Sequence, residues 1–300
     1  MLYQNMSELI GNTPLIRLQE IEKSYNLDCQ IYGKLEKQNP GGSIKDRAVY
    51  QMLINATKQG LKLEGANIVE ATSGNTGIAM AMLSHFFKYK AYIVMPSSMS
   101  QQRKDLIKNF GATLVLVDGP LKNSIAKAEE LLKELPNSLT LNQFANPGNL
   151  ESHFLTTGRE IVADLPDVDC VVAGFGTGGT ISGIGKYFKE NNIKAKAIGV
   201  EPEESAFITK GVAGKHGIPG IGAGFKPDNL KLEYVDEILA VNSDQTNVMA
   251  KEILCKEGLF VGVSSGASLL GAINYIKSND LHNKKIVVIF PDTGERYSWN

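Results

Sequence analysis

One amine, three turns rich in small polar residues, and the order in which they occur carry the chemistry this sequence offers. Lys45 closes the run Gln38-Asn39-Pro40-Gly41-Gly42-Ser43-Ile44. Pro40 disfavours a helical Asn39, and Gly41 and Gly42 permit a tight turn. Ser43 is a good N-cap, Asp46 completes an approximate capping box, and Ala48, Val49, Met52, Leu53 and Ile54 recur at helical spacing. A helix is therefore predicted from about Ser43, with Lys45 in its first turn, where the dipole disfavours a cation. A lysine whose charge is destabilised is a better nucleophile, and amines form Schiff bases with carbonyls. The same residue also fits a solvated lysine on an exposed first turn, and this stretch alone leaves both readings open.

The three turns suit anions. Thr72-Ser73-Gly74-Asn75-Thr76 brings hydroxyls, an amide and backbone N–H groups to a helix start, which fits a carboxylate or an ordinary capped turn. In Gly176-Thr177-Gly178-Gly179-Thr180 the glycines let the backbone approach a ligand and the threonines can donate, so a phosphate is the natural guest. The turn lacks the Gly-Lys-Ser/Thr ending of an NTPase loop. A dinucleotide reading stays open, since Glu201 ends the next strand about where a ribose-binding acid would sit, although the glycine spacing fits loosely. Ser264-Ser265-Gly266-Ala267 reads, by itself, as a helix cap.

The elements that must hold these turns alternate regularly. Strands are predicted at 15–18, 30–36, 66–70, 91–95, 113–117, 169–174, 195–200, 238–241 and 285–290. Helices are predicted before the first of them and at 78–87, 104–110, 124–135, 155–165, 181–191 and 244–257, with another after Ser265. Residues 139–149 read as irregular, with Asn146-Pro147-Gly148 as a breaker, and 203–230 as a glycine-rich candidate functional loop. Continuous apolar strands between helices argue for an α/β protein with parallel sheets covered on both faces. In such sheets ligands bind at the carboxyl ends of strands. No Pro/Ser linker divides the chain, so two lobes are expected to intertwine, crossing near Ala145 to Leu150.

Bulk properties narrow the function classes. The chain has 300 residues, 43% hydrophobic and 21% charged, enough for a large core. A net charge of -1 offers no basic field for nucleic acid or for an anionic membrane. Cys29, Cys170 and Cys255 are scattered, and His85, His153, His216 and His282 show no ligand spacing, so neither a metal site nor a disulfide framework is expected. The first residues lack a basic segment followed by an apolar core, and no apolar run is long enough to span a bilayer. A soluble protein of a reducing, cytoplasmic compartment is expected.

Lys45 after Asn39-Pro40-Gly41-Gly42-Ser43, followed by the three turns in this order, closely resembles the cysteine synthase (O-acetylserine sulfhydrylase) and cystathionine β-synthase family. These are pyridoxal-phosphate enzymes of fold type II, similar to the tryptophan synthase β chain. The match runs from Ile10-Gly-Asn-Thr-Pro-Leu15 to Pro291-Asp-Thr-Gly-Glu-Arg-Tyr297. The resemblance implies a smaller mobile lobe over 41–147 and a larger one from 1–40 plus 148–300. It implies that Lys45 forms an imine with the cofactor and later moves protons at the substrate α-carbon. Gly176, Thr177, Gly178, Gly179 and Thr180 would cup the cofactor phosphate. Asn75 would bond the cofactor's 3′ oxygen, and Ser264 would face its ring nitrogen. Thr72, Ser73, Thr76 and Gln143 would hold the substrate carboxylate, with Asn75 and Gly222 beside them.

The implied reaction is β-replacement through an aminoacrylate, making L-cysteine from O-acetyl-L-serine and sulfide. Gly220-Ile-Gly-Ala-Gly-Phe225 resembles the cysteine synthase form of the active-site loop. Arg159 stands where proline is common, and the sequence stops soon after Tyr297, where relatives usually continue into a further helix. An alternative within the resemblance is an enzyme that releases hydrogen sulfide from L-cysteine and forms serine, pyruvate or lanthionine. A dinucleotide-binding oxidoreductase is a remoter one. Partners would be a small amino acid and sulfide or a thiol, with neither nucleic acid nor membrane, and the resemblance implies a homodimer.

Overall fold

A computed structural model describes residues 2–72, 74–297 and 299. Among these, ten strands form two sheets. The strands are β1 (Leu15–Arg17), β2 (Cys29–Leu35), β3 (Asn67–Ala71), β4 (Lys90–Pro96), β5 (Thr113–Val117), β6 (Ser138–Leu139), β7 (Cys170–Gly174), β8 (Lys196–Pro202), β9 (Glu237–Val241) and β10 (Lys284–Phe290). One sheet runs β1-β2-β10-β7-β8-β9 and the other β5-β4-β3-β6. Apart from the antiparallel β1–β2 pair, every pairing is parallel, as expected for this α/β class. The chain thus begins in the larger sheet, leaves it to build the smaller one from residues 67–139, and returns.

The apolar runs follow from burial on both sheet faces. Along β10, Ile286, Val288 and Phe290 pack into one core, while Val287 and Ile289 pack into the core on the other face. Along β7, Cys170 and Val172 take the first side and Val171 and Ala173 the second. In the smaller sheet Ile68 and Val69 of β3 divide in the same way. Fully burying one such side chain contributes roughly 1.5–3 kcal/mol, so these strands have no polar face to spare.

Three local expectations need correction. The helix Gln19–Ser24 was not anticipated; its N-cap, Leu18, makes no side-chain cap bond. Asn146-Pro147-Gly148 does not break a helix but starts one, Pro147–Ser152: Asn146 Oδ1 accepts from Gly148 N at 3.0 Å, and proline needs no N–H at the first helical position. Asp46 forms no capping box. The helix Lys45–Lys58 begins after Ile44, and Asp46 Oδ2 instead accepts from Gly41 N at 2.5 Å.

Candidate active site

The carboxyl ends of β3, β7 and β10 converge on a cavity of about 290 Å³. Lys45 lines it from the first turn of its helix, facing Thr72, Asn75 and Thr76, Gln143, the Gly176–Gly178 turn with Thr180, Gly222, and Ser264. Of the residues singled out from the sequence, Gly179 does not line the cavity, and Ser73 lies outside the described residues.

Lys45 keeps a little accessible surface toward the cavity but is otherwise shielded by protein. Burial pushes its ammonium below the usual lysine range, and the charges of Asp292 and Glu36 only partly restore it. The main physical cause of this downward shift is desolvation, not the helix dipole invoked from sequence. Its approach is fixed by the end of β10: Ile44 N donates to Pro291 O at 2.8 Å, and Ser43 bridges to Asp292. Two residues on, Arg47 pairs with Glu36 at 2.7 Å and Glu160 at 2.5 Å, and Glu160 also meets Lys34 at 2.8 Å. Burial raises the Glu160 carboxyl, yet Arg47 and Lys34 outweigh it and hold it at about 2.

The glycine turn owes its composition partly to what lies behind it. Gly178 adopts a φ of +81°, and a Cβ there would stand 2.6 Å from Leu230 Cα; a Cβ on Gly176 would collide with Gly220 O. The helix Gly179–Glu190 starts immediately after, so its free N–H groups point back to the turn. Thr177 Oγ1 accepts from Asn149 Nδ2 at 3.0 Å, which leaves its own proton to donate. Thr180 Oγ1 meets Nε2 of buried His153 at 3.2 Å, and Nδ1 of that ring meets Thr157 Oγ1 at 2.9 Å. Burial, with Arg47 and Lys45 nearby, pushes the His153 imidazole well below its usual range.

On the opposite wall Thr76 Oγ1 donates to Gln143 Oε1 at 2.6 Å, joining the first turn of the helix Asn75–Phe87 to the loop after β6. Asn75 is held at both ends of its amide. Its Nδ2 donates to Asp292 Oδ2 at 2.7 Å, and its Oδ1 accepts from Arg296 Nη1 at 2.6 Å. Tyr297 Oη also donates to Asp292 Oδ2, at 2.5 Å, while Arg296 Nη2 donates to Gly41 O. Sequence reasoning quoted Pro291 to Tyr297 as a motif without giving Asp292, Arg296 or Tyr297 a task. It also missed Asn149 and His153, which hold Thr177 and Thr180, and Phe144, which lines the cavity; Asn149 and Phe144 lie within the segment read as irregular.

This donor set fits pyridoxal phosphate: a shielded amine for an aldehyde, a helix-start turn for a phosphate, and separate hydroxyls and amides for an amino-acid carboxylate. It does not fit a dinucleotide. Glu201 spends its carboxylate on Ile208 N, Thr209 N and Thr209 Oγ1 at 2.6–3.0 Å, capping the short helix Phe207–Lys210. No group of three or more His, Cys, Asp or Glu among the described residues is arranged to hold a metal ion, and no helix among them is long and apolar enough to cross a membrane.

Comparison with known proteins agrees with the donor set. The model of one family, described as pyridoxal-phosphate dependent enzyme, matches residues 6–292. A cysteine synthase of Buchnera aphidicola is 44% identical over 308 residues, covering 99% of this chain and 94% of that protein. The crystal structure of O-acetylserine sulfhydrylase isoform 3 from Entamoeba histolytica superposes with a TM-score of 0.94 at 41% identity, covering 100% of this chain and 91% of that one. A hydrogen sulfide-producing enzyme from Fusobacterium nucleatum also gives 0.94, at 40% identity and 99% coverage of both chains.

Proposed function

The chain belongs to the pyridoxal-phosphate dependent enzymes, and from that premise we propose that it makes L-cysteine from O-acetyl-L-serine and sulfide, replacing the group on the β-carbon. The observation that carries this reading is the meeting of the Lys45 amine, the Gly176–Thr180 turn and the Thr76–Gln143 pair around one cavity. Similarity to cysteine synthases over nearly the whole chain supports the choice of reaction.

Pyridoxal phosphate, when bound, supplies an aldehyde for an amine and an electron sink that acidifies the substrate Cα–H. Lys45 Nζ is the amine that holds it. The same nitrogen would take and return the proton at the substrate Cα, a task favoured by the burial that pushes its ammonium below the usual lysine range. Gly176, Thr177, Gly178, Gly179 and Thr180 hold the phosphate through backbone N–H groups and hydroxyls. Ser264 serves the ring nitrogen; as a neutral group it does not enforce protonation there, which suits loss of a β-substituent. Asn75 serves the 3′ oxygen with the Nδ2 proton that Asp292 leaves over. Thr72, Ser73, Thr76 and Gln143 bind the substrate carboxylate, beside Asn75 and Gly222.

Binding there would draw residues 41–147, acting as a small lobe, over 1–40 plus 148–300 and exclude water. A cytoplasmic homodimer completes the reading, by resemblance.

Likeness to a hydrogen sulfide-producing enzyme favours a second reading, in which L-cysteine is the first substrate and sulfide the product. Mass spectrometry of products from O-acetyl-L-serine plus sulfide, and from L-cysteine alone, separates the two. Rapid cysteine formation in the first sample with little turnover in the second supports the synthase; the reverse reassigns the enzyme.

A further inference from the structure

Glu70 is 4% exposed, carries a carboxylate, and has no part in the chemistry above. It stands one residue before the end of β3, and therefore two residues before Thr72. Strands β3 and β6 pair only at Asn67↔Ser138 and Ile68↔Leu139. Beyond Leu139 the continuation of β6 turns away, with Asn142 at a φ of +52°. Past that point the Glu70 side chain replaces the missing strand partner. Its Oε2 accepts from Thr140 Oγ1 at 2.7 Å, Leu141 N at 3.1 Å and Asn142 N at 3.0 Å, and its Oε1 from Gln143 N at 3.1 Å. Three successive backbone N–H groups converging on one anion form a nest, a geometry that a neutral amide cannot satisfy because half of its donors and acceptors would face the wrong way.

The turn held in this way presents Gln143. Its carbonyl oxygen accepts from Asn149 Nδ2 at 2.8 Å and Asn229 Nδ2 at 3.0 Å, while its side-chain oxygen accepts from Thr76. With Oε1 engaged, Nε2 is the end of the amide that can donate to a ligand. Glu70 thus fixes, from the strand that leads into Thr72 and Thr76, the separate loop that supplies Gln143.

We propose that Glu70 is the positioning residue of the amino-acid carboxylate site, acting through Gln143 and setting affinity for the substrate without touching it. Burial raises its carboxyl above the usual range, and the hydrogen bonds from Gln143, Thr140, Asn142 and Leu141 oppose that rise. The inference rests on the carboxylate site proposed above.

The test titrates the cofactor-loaded protein with L-alanine, which carries no leaving group, and follows the visible absorbance. In the parent, L-alanine should shift the cofactor band; no shift would defeat the carboxylate-site reading itself. Glu70→Gln should keep the unliganded band at full stoichiometry yet raise the half-saturating L-alanine concentration about tenfold. In a Gln143→Ala background the same change should add less than twofold. A parent-like titration for Glu70→Gln, or an undiminished effect without Gln143, would overturn the proposal. Thr140→Val, at an exposed position, removes one donor and should raise half-saturation about threefold. If Glu70→Gln does not fold, an unchanged titration for Thr140→Val overturns the proposal instead.

Discussion

Asn75 Nδ2 donates to Asp292 Oδ2 at 2.7 Å, tying the first residue of a helix in the smaller sheet's layer to the end of β10 in the larger sheet. The two residues are 217 positions apart. Arg296, donating to both Asn75 and Gly41, joins the Lys45 turn to the same junction.

Asp292→Ala leaves the Asn75 amide and the Tyr297 hydroxyl without their buried acceptor. A loss of about 1–3 kcal/mol is expected in urea unfolding. Because the two residues share one bond, the double variant Asp292→Ala/Asn75→Ala should fall short of the summed single losses by at least about 0.5 kcal/mol. Simple additivity would contradict the contact.

The Arg47 cluster should behave as a buried ion network rather than a surface pair. Arg47→Met strands the carboxylate of Glu36, which is fully buried, and should cost about 3–5 kcal/mol. Adding Glu36→Gln should recover part of that loss, since it removes the orphaned charge. The readout is the urea midpoint; a single-variant cost under about 1 kcal/mol would show that the network contributes little.

Asp46 predicts the pH dependence of stability. Burial raises its carboxyl to about 7, opposed by the Gly41 N–H bond and by Arg296. A carboxyl raised in the folded state contributes stability that is complete below the unfolded value near 3.8 and is lost as pH rises through about 7. Unfolding free energy should therefore decline between pH 5 and 7 by up to about 1.4 kcal/mol per unit from this group. Asp46→Asn should remove that slope. Glu160, held at about 2 when folded, adds only a small slope of opposite sign near pH 5, because its unfolded value is 4.5. Equal slopes in parent and variant would contradict the assignment.

Much of this was legible in the sequence. β-Branched runs alternating with amphipathic stretches gave the parallel sheets, because strands buried on both faces read as continuous apolar segments. The Lys45 turn and the Gly176–Thr180 turn were visible because unusual backbone conformations restrict residue choice. What stayed hidden depends on partners distant in sequence. Glu70 reads as one more residue of a strand until the 140–143 turn folds against it. Glu201 looked like a ribose acid because the strand end was right, whereas the Thr209 helix, a few residues on, claims its carboxylate. Asp46 suited a capping box by spacing, but Gly41 N lies within its reach and is otherwise buried without an acceptor. Local rules fix which conformations are allowed; they do not choose among competing buried partners.

Lys45 is proposed as the amine that holds the cofactor. Borohydride reduction of the cofactor-loaded protein fixes any link between a lysine and the cofactor aldehyde, and peptide mass spectrometry then locates it. The expected result is a phosphopyridoxyl group on the peptide containing Lys45, close to one per chain and absent in Lys45→Ala. The same group on another lysine, or its persistence at equal yield in Lys45→Ala, would contradict it.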